Sequence, residues 1–572
     1  MTFNGRVKLG YELPELKSAV NSDIPLTPEE LEVWLSQLPL LNIKQLVHQI
    51  PEYLQEINQI EMPDKQRLKM LEQLRPIVAH IYESSTKRFR GDALNLSAES
   101  QEIQWLVNVL IGEMALGYQR LLFNMAEKAP NWFNKKHYAV LAQRAIYYLG
   151  ERIYLAYILS NSVPDSAWQQ LNASYAFSRQ LSLNTIKLKD KFAYFASKKG
   201  DINSIYHRIV LLSMVAPYSL RAAELEQIYY ALSPWMNDLK LLKVSEAAST
   251  HGYLYIVDLE EDKGVLSCSY IQAGGNQYIL DSTELDFKLT KWLESGEAPE
   301  SAAYKGMSKT LLIDIISKLE STKQRAEERI HTDGEKVEVV IGLENIDLFL
   351  THVHSVLNND GDSPIPKIQI EQFTKDVFWG KHEGGDWDKL DFSTHQVAQE
   401  KGETVGEEVS GSEVRRHLFN IENESKFGVC LSCSSLHGSG LFIGELIFIQ
   451  GYEPEIWTLG IIRWMTVKNK KLEIGLYLLS ARVDKVIVNS KDSVDNNTIN
   501  ALWMAEGEYG DTILLPRANF QVGEQLQLTL KGEHLDVSLG KIVWQSEGFS
   551  QFCLIIENKV LEDSASQQDF LI

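Results

Sequence analysis

The sequence predicts a multidomain α+β protein, with an all-α helical bundle or solenoid at the N-terminus and tandem antiparallel β-barrels at the C-terminus. Three observations carry this. Through roughly the first 240 residues apolar side chains recur every three or four positions, which gives one buried stripe per helix. After residue 414 the chain turns into short strand-like runs separated by turn residues. The 572 residues exceed what one hydrophobic core usually spans, so two to four domains are expected.

The helical region begins with a clear start signal in "LTPEELEVWLSQL". Thr27 can cap free backbone N–H groups, Pro28 suits the first helical position, and Glu30 can bond back to the cap. Helical spacing follows in "PDKQRLKMLEQLRPIVAHIYESSTKRF", "AESQEIQWLVNVLIGEMALGYQRLLFNMAEKA", "KKHYAVLAQRAIYYLGERIYLAYILSN" and "DSAWQQLNASYAFSRQLSL". Short connections with Pro or Asn, such as "KAPNWF" and "NSVPDS", separate them. No fixed period marks a repeat.

Residues 243–321 read as a small mixed α/β region, with short strands in "GYLYIVDLEEDKGVLSCSYIQAGGNQYILDS" and helical spacing after them. "KVEVVIGLENIDLFL" opens with the β-branched residues of a strand. Residues 351–413 hold thirteen acidic residues, five basic ones and seven glycines. Such a stretch buries little and predicts a long, partly disordered loop. From 414 onward about ten strands follow, too many for one small barrel, so two in tandem are expected. The boundaries expected are 1–242 for the helical domain, 243–321 for the connecting region, 322–482 for the first barrel with its acidic insertion, and 483–572 for the second barrel and tail.

Composition excludes several functions. The 56 basic and 77 acidic residues give a formal charge of −21, a field that repels nucleic acid and anionic membrane surfaces. A local basic pocket for a small anion remains open. No apolar run approaches the roughly 20 residues that span a bilayer, and "MTFNGRVKLGYELPELKS" lacks the apolar core of a signal peptide. A cytoplasmic protein without membrane insertion is expected. Four cysteines are too few for a disulfide scaffold. Cys430 and Cys433 form a lone CxxC, read as small residues of a strand rather than a metal or redox site. His352, His354 and His395 lack convergent spacing and are read as solvated. The chain has no GxxxxGK[ST], no GxGxxG after a strand, no HExxH and no GxSxG. It is expected not to be an enzyme.

Two short stretches stand out. "NESKFG" (Asn423 to Gly428) is an NxSxxG between two strand-like runs, and by itself it is an ordinary turn. "RAEER" places Arg325 and Arg329 at i and i+4, on one face if that segment is helical. The strand-like "KVEVVIGL" begins seven residues after it. In this order, and with "IGELIFIQ", "LGIIRWM" and "LEIGLYLLS" behind them, residues from about 322 to 482 resemble a PilZ domain, the barrel of a family of cyclic di-GMP receptors.

The resemblance implies a six-stranded barrel that binds cyclic di-GMP as a regulatory ligand, with no other cofactor. It implies that Arg325 and Arg329 hold phosphate and guanine, and that Asn423, Ser425 and Gly428 form the barrel-side wall. The chemistry is coherent. Arginine offers a planar fork for phosphate and for guanine O6 and N7. An Asn amide can donate to and accept from a guanine edge, and Gly lets backbone and ligand approach closely. One departure from the pattern is that Arg329 and Asn423 lie 94 residues apart. An insertion at 351–413 accounts for this at small entropic cost. Its acidic charge would oppose phosphate binding unless it points away. Arg415 and Arg416 form a rival basic pair close to Asn423 in sequence. Trp464 is expected in the core. The second barrel carries neither motif and is expected to be a related barrel kept for packing or partner contact. The function expected is a cyclic di-GMP effector that signals to an unidentified protein partner through its helical region. The alternative is a scaffold or assembly protein with a degenerate barrel.

Overall fold

The computed structural model describes residues 2–3, 6–7, 11–17, 24–89, 98–126, 134–193, 199–243, 254–268, 277–297, 307–320, 330–332, 334–358, 415–425, 427–434, 441–451, 457–469, 471–479, 482–490, 498–507, 509–517, 520–530, 532–546 and 548–556. Its packing divides the chain into two units: Met1–Ala326 with Thr466–Asn469, and Glu327–Met465 with Lys470–Ile572.

The first unit opens with a two-residue antiparallel pair, β1 (Thr2–Phe3) and β2 (Arg6–Val7). Helix α1 (Pro28–Gln37) starts as its sequence dictates. The Thr27 hydroxyl accepts from the Glu30 amide, and the Glu30 carboxylate accepts from the Thr27 amide. There follow α2 (Ile43–Gln59), α3 (Asp64–Phe89), α4 (Ala98–Ala126), α5 (Lys135–Ile158), α6 (Ala167–Gln180), α7 (Ile202–Met214) and α8 (Ala222–Ala231). Helix α5 is buried on nearly every side from Tyr138 to Ile158, and α4, α6, α7 and α8 pack around it. A helix covered all round loses the single apolar stripe of its neighbours.

A shared ion cluster pins this core. Asp190 Oδ2 accepts from Arg75 Nη2 at 2.8 Å and from Arg144 Nη1 at 2.5 Å. Glu72 accepts from Arg144 Nε at 3.1 Å and from the Tyr118 hydroxyl at 2.7 Å. Burying two cations is tolerable here because two carboxylates and the Tyr148 hydroxyl answer them. Beyond the helices lies a four-stranded antiparallel sheet of order β3-β6-β4-β5, made of β3 (Lys240–Lys243), β4 (Leu254–Asp258), β5 (Val265–Cys268) and β6 (Gln277–Asp281). Helices α9 (Thr283–Ser295) and α10 (Lys309–Glu320) complete the unit.

The second unit comprises β7 (Ile330–His331), β8 (Lys336–Ile341), α11 (Leu343–Asn358), β9 (Arg416–Ser425), β10 (Gly428–Cys433), β11 (Leu446–Gln450), β12 (Trp457–Lys468) and β13 (Lys471–Leu479). It continues with β14 (Arg482–Ser490), β15 (Ile499–Gly507), β16 (Gly510–Pro516), β17 (Gln525–Leu530), β18 (Glu533–Gln545) and β19 (Phe549–Ile556). Strands β8-β9-β10-β13-β12-β11 close into one barrel, because β8 pairs with both β9 and β11. Strand β7 is an extra short strand on β9. Strands β14-β15-β16-β19-β18-β17 close into a second. The two tandem antiparallel barrels expected from the sequence are present.

The barrels share one plan, as expected of a second barrel related to the first. Their strand orders are identical when β8 is matched to β14 and so on through β13 and β19. The β9–β10 hairpin closes at Ser425 opposite Gly428, and the β15–β16 hairpin closes at Gly507 opposite Gly510. "LGIIRW" (459–464) on β12 and "LGKIVW" (539–544) on β18 occupy matching places.

The acidic stretch begins later than its composition suggests. Helix α11 runs through Asn358, well past residue 351, and residues 359–414 lie outside the described residues. Ile346, Phe349 and Leu350 of α11 join a single core cluster with Leu446, Phe448 and Trp457 of the first barrel and Val483, Leu502, Met504 and Phe549 of the second. Asp347, 7 % exposed, accepts from Lys485 Nζ at 3.0 Å and from Asn500 Nδ2 at 2.9 Å. One helix therefore seats both barrels.

Candidate functional site

Asn423 and Ser425 belong to the last three residues of β9, and Gly428 begins β10. "NESKFG" is thus mostly strand. Only Lys426 and Phe427 lie between the paired ends, Ser425 and Gly428. In this register Asn423 stands opposite Cys430. The register shifts after Cys430, which leaves Glu422 as an extra residue on β9. Glu422 and Asn423 are both half-buried, between the buried Ile421 and Glu424. Residues two apart share a face of a strand, so Asn423 and Ser425 face the same side as Cys430 and Gly428.

Gly428 is required by the barrel wall itself. A Cβ there would come within 2.9 Å of the Leu476 carbonyl on β13. The Ser425 hydroxyl points back at the Gly428 carbonyl, 3.4 Å away. The row continues across β13, where Gly475 lies opposite Cys430. The indole of Trp464 covers Gly475 so closely that a Cβ would overlap the ring. Trp464 is half-buried, so it walls this face rather than filling the barrel interior.

The acidic group on this face is answered. Glu422 Oε1 takes Lys471 Nζ at 2.5 Å and the Ser432 hydroxyl at 2.5 Å. The Lys471 ammonium, aided by Ser432, holds its carboxyl below the usual carboxylate range. The charge of Glu422 is thereby offset at the edge of the row.

The approach of β7 completes the arrangement. Ile330 pairs with Glu424, and His331 with Asn423. Arg325 and Arg329 lie outside the described residues. Ile330 and Glu424, themselves 94 residues apart in sequence, are joined by this one short strand pairing. Nothing in the sequence flagged β7, whose two residues have no periodicity to read.

The rival arginine pair is not brought to this place. Arg416 begins β9, and seven residues of strand put it roughly 20 Å from Asn423. Its guanidinium bonds Glu338 Oε2 at 3.1 Å and lies 5.4 Å from the Phe349 ring centroid. Arg415 precedes it at the same far end, exposed. Closeness in sequence to Asn423 is undone by the direction of the strand.

Cys430 is buried and Cys433 half-buried, and neither is part of a disulfide. Among the described residues no group of three or more His, Cys, Asp or Glu side chains is arranged to hold a metal. His395 lies outside the described residues, and of His352 and His354 only the helical backbone is described. Among the described residues no helix is long and apolar enough to cross a membrane.

Comparison with known proteins agrees with this geometry. A family model described as the N-terminal domain of the cyclic-di-GMP receptor FimW matches residues 29–246. A second, described as the middle PilZ domain of that receptor, matches residues 254–484. The cyclic-di-GMP receptor FimW of Pseudomonas aeruginosa is 23% identical over 553 residues, covering 92% of this chain and 90% of that protein. No solved structure matches. With the barrel closed as its motifs require and the two models together spanning most of its length, the chain belongs to the family of PilZ-domain cyclic di-GMP receptors.

Proposed function

We propose that the outer face of the first barrel, around the β9–β10 hairpin, binds cyclic di-GMP and that its occupancy is passed to a protein partner through the helical region. The observation that carries this reading is the pairing of β7 with β9. It sets Ile330 and His331, the two residues that follow Arg329 in the sequence, against Glu424 and Asn423. Arg325 and Arg329 supply forked donors for phosphate and guanine. The Asn423 amide reads a guanine edge, Ser425 adds a hydroxyl, and the glycine wall at Gly428 admits close approach. The Glu422–Lys471 pair keeps a bare carboxylate away from the phosphates. Binding that orders the arginine segment against β9 gives the two arrangements, free and bound, that any transmission needs.

Calorimetry on the full chain tests the site. Binding at micromolar levels or tighter is expected. Arg329→Ala or Arg325→Ala should weaken it at least about tenfold, as a charge-assisted contact contributes roughly 1.5–3 kcal/mol. No heat and no thermal shift on adding cyclic di-GMP would end the proposal. Loss of binding in Arg415→Ala with Arg329→Ala unaffected would move the site to the start of β9. Pull-downs with and without ligand, using the chain with and without its helical unit disrupted at Asp190→Ala, test the route to the partner.

A further inference from the structure

We infer that His331 is a further ligand contact on this face and makes binding tighten as pH falls; this rests on the reading of the face given above. His331 is exposed and stands directly opposite Asn423. Directly opposed residues of an antiparallel pair project to the same face, with Cβ atoms about 4.5–5.5 Å apart. A ligand edge held by the Asn423 amide therefore lies within reach of the imidazole.

The charged surroundings leave the ring available for an anion. Strand β9 is the element packed on β7, and its ionisable residues at this end are Glu422 and Glu424. Glu422 is engaged by Lys471 and Ser432. Glu424 is buried and stands opposite Ile330, on the other face of the strand. A neutral imidazole donates one N–H, whereas a protonated one donates two and carries a full charge. The phosphodiesters of cyclic di-GMP stay ionised throughout the range in which histidine side chains titrate. The protonated ring is therefore the better partner, and ligand and proton each favour binding of the other.

The test is titration of the full chain with cyclic di-GMP at about pH 8 and about pH 6, the span over which histidine changes charge. The wild type should bind roughly three- to fivefold tighter at the lower pH, the yield of one partly exposed ion pair. His331→Gln, which keeps a hydrogen-bond donor without the charge, should bind at both pH values as the wild type does at the higher one. His331→Arg should bind tightly at both. A thermal melt identical to wild type for these exposed-site variants separates the effect from folding. If His331→Gln retains the wild-type pH dependence, or binds as tightly as wild type at the lower pH, the inference is overturned. If the wild type binds at neither pH, the reading of the face fails first and this inference falls with it.

Discussion

The two barrels of the second unit follow one strand order, yet they differ at nearly every position that would touch a ligand. In register, Asn423 and Ser425 correspond to Met504 and Gly507. Gly475, opposite Cys430 in the first barrel, corresponds to Cys553, opposite Thr512 in the second. Each barrel keeps the tryptophan of its Leu-Gly repeat. Trp464 lies over Gly475, whereas Trp544 is faced at 4.5 Å by the Arg463 guanidinium of the neighbouring barrel. An arginine-bearing segment runs into the first barrel, while β14 follows β13 after only Ser480 and Ala481. On the function proposed above, the same closed sheet would carry a binding face in one copy and a packing face in the other, so that a handful of side chains rather than the strand plan decides function.

Four substitutions bear on that contrast, beginning with the largest effect. Phe349 of α11 sits in the core shared by both barrels, 4.5 Å from Trp457 by ring centroids. Phe349→Ala should cost about 3–5 kcal/mol and lower both barrels together in a calorimetric melt. Two transitions, with the second barrel unmoved, would show that the copies are independent bodies. Gly475→Ala should displace the Trp464 indole at about 1–3 kcal/mol of overpacking and weaken cyclic di-GMP binding. Cys553→Ala, at the matched place, should change stability by less than about 1 kcal/mol and leave binding alone. Equal effects of the pair in both assays would erase the distinction between the faces. Glu422→Gln should free Lys471 and tighten binding by about twofold, the scale of an exposed pair; weaker binding would mean that the pair positions the hairpin instead.

Local chemistry was legible in advance and pairing was not. The capping box of Thr27 and Glu30 is written within four residues, and the structure forms it as read. The barrel strands showed because alternation and turns are local signals. The hairpin was misjudged as a polar break because Asn423 and Ser425 are polar strand residues on a partly exposed face. The helical continuation to Asn358 was hidden because acidic, glycine-rich composition begins just after it. The partners of Asn423 are His331 and Cys430, and such non-local register is set by the closing of the whole sheet. That is also why Arg416 looked near and lies far. The kinship of the two barrels is legible because the copies share spacing, such as "LGIIRW" and "LGKIVW", while the motif residues of the first are absent from the second.

The far end of β9 has a practical meaning. The acidic stretch rejoins the fold at Arg415 and Arg416, where Glu338 and Phe349 anchor the strand. That junction is roughly 20 Å of strand from Asn423, more than two screening lengths of about 8 Å in physiological salt. The barrel therefore offers a splice port at one pole and, on the function proposed above, a nucleotide face at the other. A reporter domain placed between Asn358 and Arg415 would return to the fold at that port.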